Sequence, residues 1–143
     1  LNNNTIMKFG PNSQPAFFAN AGLYPYGMTF DNGDNLYVVN SGDNNILKYD
    51  ATGNASLFAD LSDGLNAPVD IVFDGSANLL VLNLGNNTIQ RFDLAGNGSL
   101  FANTGMDHPE SMAIYVVPEP ASSSLLLLLS GLLLASRRSR RSR

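Results

Sequence analysis

The strongest constraint on the fold of this 143-residue chain is an ungapped internal repeat with an offset of 43 residues. Pro25, Met28, Phe30, Asp31, Asn35, Leu36, Val38, Asn40 and Gly42 recur as Pro68, Ile71, Phe73, Asp74, Asn78, Leu79, Val81, Asn83 and Gly85. Further along, Ile46, Lys48, Tyr49, Asp50, Gly53, Asn54, Ser56, Leu57, Phe58 and Ala59 recur as Ile89, Arg91, Phe92, Asp93, Gly96, Asn97, Ser99, Leu100, Phe101 and Ala102. Such a period carries one supersecondary unit, which must bury its apolar face against its neighbours. Within each period, four runs of four to six residues alternate Val, Ile, Leu, Tyr and Phe with polar residues. That alternation is the mark of half-buried strands. Residues 31–35 and 41–45 are rich in Asn, Asp and Gly, which tolerate the positive φ of hairpin turns. Four antiparallel strands per period of this size make one blade of a β-propeller. The expected fold class is therefore all-β, a partial propeller of four-stranded antiparallel blades.

The blades do not sum to a ring. Residues 4–19 align with residues 44–59 at an offset of 40, which supplies the second half of an earlier blade. Residues 109–115 are expected to form the first strand of a later one. Half a blade, two full blades and one strand fall short of the four to eight blades of a propeller. Residues 1–117 thus read as the C-terminal part of a larger propeller, in a chain cut from a longer precursor. Unpaired strand edges at its two ends would favour association with other chains.

The motif Pro-x-Gly-Met-x-Phe-Asp, followed by Asn-Leu-Tyr-Val and Ser-Gly-x-Asn-x-Ile-x-Lys-Tyr-Asp, resembles the NHL repeat shared with gluconolactonase-like propellers. The resemblance covers residues 25–59 and 68–102. The chain departs from the pattern where an Asp commonly follows the second strand's valine, since Asn40 and Asn83 stand there. By that resemblance, two carboxylates are missing from a face where enzymatic members gather metal ligands. This weighs against catalysis.

The end of the chain has a different chemistry. Val117-Pro118-Glu119-Pro120 is followed by 15 uncharged residues, 122–136. Leu125, Leu126, Leu127, Leu128, Leu129, Leu132, Leu133 and Leu134 lie among them, and Arg137, Arg138, Arg140, Arg141 and Arg143 close the chain. As a helix, the uncharged stretch spans about 22 Å, short of the ~30 Å hydrocarbon core. Snorkelling arginines and local thinning can make up the difference. The positive-inside rule assigns the arginines to the cytoplasm and the body to the far side of the membrane. The order of linker, apolar helix and basic cluster resembles the PEP-CTERM sorting signal of Gram-negative bacteria. That resemblance implies recognition at residues 117–120 and processing by an exosortase. Residues 118–143 are therefore expected to be a sorting segment and short membrane helix. The precursor would be anchored in the inner membrane, and the exported product would lie at the cell surface or in the extracellular matrix.

Charge and composition narrow the function of the body. Up to residue 118 the chain carries 11 Asp and Glu against Lys8, Lys48 and Arg91. An acidic surface disfavours nucleic acid, whose affinity comes from Lys and Arg on phosphates. Cysteine is absent, so neither a disulfide nor a thiolate metal site is available. There is no Gly-x-Ser-x-Gly elbow, and Glu110 is the only glutamate of the body. Asp31, Asp34 and Asp74 with Asn32, Asn35 and Asn78 have oxygens suited to calcium, but their spacing fits tight turns and no calcium loop. Four Asn-x-Ser/Thr triplets, at Asn3, Asn54, Asn86 and Asn97, are likewise explained by turn chemistry. No metal or other cofactor is expected.

Three residues remain as candidate ligand contacts. His108 is the only histidine and stands beside Asp107. Tyr24 and Tyr26 flank the start of a blade and offer aromatic area at low entropic cost. Tyr37 and Tyr49 are expected in inter-blade packing. The expected function is a non-catalytic, exported propeller binding a protein or polysaccharide, an assignment consistent with the exopolysaccharide-producing bacteria that carry such tails. The alternative is a gluconolactonase-like or lyase-like enzyme whose catalytic residues lie on missing upstream blades.

Overall fold

A computed structural model describes residues 4–115. The sorting motif, the Leu-rich stretch and the arginine cluster lie outside the described residues. Among the described residues, ten strands form three antiparallel sheets. β1 (Thr5–Phe9) and β2 (Pro15–Asn20) make a two-stranded sheet. β3 (Pro25–Phe30), β4 (Leu36–Asn40), β5 (Asn45–Tyr49) and β6 (Ala55–Ala59) make the next, in sequential order. β7 (Pro68–Phe73), β8 (Leu79–Asn83), β9 (Thr88–Phe92) and β10 (Gly98–Ala102) repeat it. The half blade and both full blades stand where the repeat put them. A 3-10 turn, Leu61–Asp63, joins the full blades, capped by Asp60 and closed by Gly64 at φ 92°.

Register irregularities recur at equivalent places. Ile6/Met7 in β1 matches Ile46/Leu47 in β5, and Pro25/Met28 in β3 matches Pro68/Asp70 in β7. A bulge adds local twist, so each blade acquires the same twist from the same sequence position. Close approach of blades also has a repeat logic. A Cβ on Gly27 would meet Asp70 Cα at 2.9 Å, so the absence of a side chain lets β3 and β7 converge.

Simple alternation fails in the second strand of each blade. β4 and β8 are buried at all five positions; β4 has a blade on each of its faces, as in sheets packed on two sides, and β8 packs Leu79 and Val81 against the preceding blade. Tyr37, Val39, Ile46 and Ala59 of the first full blade meet Ile71, Leu79, Val81 and Phe92 of the second. Tyr37 stacks edge-on with Phe58 at 5.0 Å and with Phe73 at 5.3 Å, pairs worth roughly 0.5–1.5 kcal/mol each beyond area burial. Leu36, Val38 and Tyr49 pack the opposite face against Ile6 and Ala19. Tyr37 and Tyr49 are thus inter-blade residues.

The strand expected over residues 109–115 is not formed. This segment runs as irregular backbone, because among the described residues no strand lies beside it to complete a ladder. It is tied to the second full blade by the Met112 N–H, which donates to Asp70 Oδ2 at 2.8 Å.

Candidate functional site

At one end of the blades, the linkers that lead into the inner strands fold back over the β4–β5 and β8–β9 hairpins. Gly22 N–H donates to Asn40 Oδ1 at 3.0 Å and Leu23 N–H to Asp43 Oδ2 at 2.7 Å. Ser41 and Gly42 N–H groups return bonds to the carbonyls of Tyr24 and Leu23. The second blade copies the arrangement, with Leu84 and Gly85 N–H donating to Ala67 and Asn66 carbonyls. Ala67 N–H also donates to Asn44 Oδ1 of the preceding blade at 2.6 Å. The result is a continuous rim of pinned loops.

Tyr24 and His108 take equivalent positions on this rim. Each precedes the proline of a blade's first strand, Pro25 and Pro109, and Ala67 before Pro68 is the third member. All three residues have left-handed backbones, with φ of 51°, 45° and 48° in chain order. That conformation is uncommon for residues other than glycine and costs about 1–3 kcal/mol. It turns the Tyr24 side chain outward, 59% exposed. Tyr26, on β3 itself, is 60% exposed. His108 Nδ1 lies 2.8 Å from Asp107 Oδ1, with both side chains in solvent. The equivalence was readable in the dipeptides Tyr24-Pro25, Ala67-Pro68 and His108-Pro109, but nothing in them announced the positive φ.

The opposite end is built from acidic turns. Asp31, Asp50, Asp74 and Asp93 each accept from the backbone N–H groups two and four residues on, at 2.8–3.0 Å. The Asn at the fourth position adds its side-chain amide in every case. At Asp50 and Asp93 the side-chain bonds of Thr52 and Asn97 lead in holding the carboxyl below the usual aspartate range. At Asp31 and Asp74 burial pushes upward, but the combined bonds, those of Asn35 and Asn78 foremost, prevail and the carboxyls are again lowered. The Asp31 and Asp74 carboxylates considered for calcium thus accept from the side-chain amides of Asn35 and Asn78. Among the described residues, no group of three or more His, Cys, Asp or Glu is placed to hold a metal ion.

Asn40 and Asn83 are fully buried and were not singled out as structural fasteners from the sequence. Asn40 accepts from Gly22 and donates to Asn45 Oδ1 at 2.9 Å. Asn83 accepts from Asn66 N–H at 3.1 Å and donates to Gly64 carbonyl and Thr88 Oγ1, both at 3.1 Å. Each needs an amide's combination of donor and acceptor.

No protein-family model and no curated protein sequence matches the chain. Among solved structures, virginiamycin B lyase from Staphylococcus aureus is similar at 22% identity and a TM-score of 0.61, covering 70% of this chain and 34% of that one. A catalytically inactive histidine-to-alanine form of that lyase with quinupristin aligns at 19% identity and a TM-score of 0.60, covering 84% and 36%. A streptogramin B lyase aligns at 20% identity and a TM-score of 0.60, covering 69% and 34%. The chain therefore spans about a third of the length of these neighbours. At these identities the fold is what is shared: the described residues are blades of a β-propeller.

Proposed function

We propose that this chain serves as a non-catalytic binding propeller, exported and sorted to the cell envelope through its C-terminal segment. The observation that carries the reading is the division of labour between the two ends of the blades. The repeated carboxylates are engaged in turns, whereas the side chains displayed at the loop rim, Tyr24, Tyr26 and His108, suit contact with a sugar or peptide. A protein or polysaccharide ligand at that rim fits the acidic body, which repels nucleic acid. Delivery rests on the tail's order of Pro118-Glu119-Pro120, leucines and arginines, read as the substrate of an exosortase. Intact-mass measurement of the full-length protein, produced with and without an exosortase, tests this. The expected outcome is loss of the mass from around Pro118 onward only in the presence of the exosortase. Retention of the tail in both hosts would leave a simple C-terminal anchor. Rim binding is tested by co-sedimentation with host exopolysaccharide, where Tyr24→Ala together with Tyr26→Ala is expected to cut the bound fraction several-fold.

A second reading is favoured by the likeness to lyases: the whole protein would be an enzyme of that type, with its catalytic residues on further, upstream blades. Its direct test is incubation with quinupristin, followed by mass spectrometry. Quinupristin is expected to survive unchanged. Its consumption by the full-length protein would establish the lyase reading.

A further inference from the structure

The two inter-blade spaces can be compared position by position, because their residues are related by the repeat. Ile71 and Phe73 of β7 are covered by Tyr37 and Val39 of the preceding blade, leaving Ile71 only 3% exposed. Their equivalents on β3, Met28 and Phe30, are 52% and 62% exposed. β5 lies between β4 and β6, whereas among the described residues its equivalent β1 is paired with β2 alone and presents an open edge. Between that edge and β3 lies a cleft of about 390 Å³, lined by Ile6, Lys8, Phe18, Met28, Phe30 and Asp34 among others.

Lys8 specifies the occupant. Its equivalent Lys48 lies 3.8 Å from the Asp31 carboxylate and 5.1 Å from the centre of the Tyr37 ring. Tyr37 is directly opposite Lys48 in the β4–β5 register, and its hydroxyl donates to Asp31 at 3.2 Å. Lys8 is exposed and, among the described residues, makes neither an ion pair nor a contact over a ring, although Asp34 and Phe30 line the same cleft.

We propose that the cleft is a docking slot for a β-hairpin of the same chemistry as residues 25–40, carrying an Asp at the turn and a Tyr six residues later. Its second strand pairs antiparallel with β1. The Tyr faces Lys8 and lies edge-on to Phe30, as Tyr37 does to Phe73, and the Asp closes the ion pair. The apolar edge that would drive aggregation is thereby the receiving half of an inter-blade joint, continuous in kind with the one already present between the full blades.

The test joins a copy of residues 23–40 ahead of Leu1 in the full chain, with a scrambled copy as control. Lys8 and Lys48 are the only lysines, so acetylation followed by mass spectrometry reads the slot against an internal standard. In the unaltered chain Lys8 is expected to react several-fold faster than Lys48. With the hairpin joined, its rate falls to that of Lys48, and the unfolding midpoint rises by about 5 °C or more. Changing the Asp and Tyr of the added copy to Asn and Phe restores much of the Lys8 reactivity. If the authentic and scrambled copies leave Lys8 equally reactive, the proposal fails, whatever either does to stability. A defined dimer of the unaltered chain, abolished by Phe30→Ser, would put a second copy in the slot and overturn the choice of occupant.

Discussion

Asn40 and Asn83 show how one side chain can hold a blade to its linker. An aspartate at either position keeps the shape and the acceptor but loses the amide donors and buries a charge. Asn83→Asp would leave the Gly64 carbonyl without its donor and place the carboxylate in a fully buried site. The expected cost is about 2–4 kcal/mol, read as a lower urea midpoint with unchanged slope. The resemblance to enzymatic propellers made these positions look like lost carboxylates. In the fold they are fasteners, a role that depends on partners 17 and 19 residues away in sequence and is therefore invisible in the local motif. Tyr24 and His108 teach a similar lesson: their residue types were apparent, but their shared backbone conformation belongs to the folded rim.

The hairpin turns are the elements most faithfully legible in the sequence, because an Asp with an Asn four residues on makes its bonds locally. They also set a pH dependence. Asp31, Asp50, Asp74 and Asp93 all have folded-state values below the ordinary 3.8. On acidification the unfolded chain binds protons first, so stability is fully present above the ordinary value and falls as pH drops through the folded values. Urea midpoints are expected to be level from neutrality to about pH 5 and to decline below pH 4. Asp93→Asn should make that acid decline shallower. A slope identical to that of the unaltered protein would remove the turn at Asp93 from the account. The inner strands were less legible. The segment at residues 109–115 has strand-like composition, yet a strand is a relation between two chains of backbone, and composition supplies one of them.

For the molecule as a whole, stability depends on the joints between blades. Tyr37 sits at the centre of one, touching Phe58 in its own blade and Phe73 in the next. Tyr37→Ala is expected to cost about 3–5 kcal/mol and to loosen both blades together, seen as loss of amide-exchange protection in β4 and β8 alike. Tyr37→Phe keeps the stacking and removes only the bond to Asp31, so about 1 kcal/mol is expected. Loss of protection confined to β4 in the alanine variant would show that the blades open independently. The sequence by itself determined the repeat, the strand number in each blade and the turns, since these follow from spacing and short-range hydrogen bonding. Only the tertiary structure decided which strands are covered on both faces, which asparagines fasten linkers, and which tyrosines reach solvent. Burial is set by the neighbouring blade, and a residue's alternation pattern carries no record of what is packed against its far side.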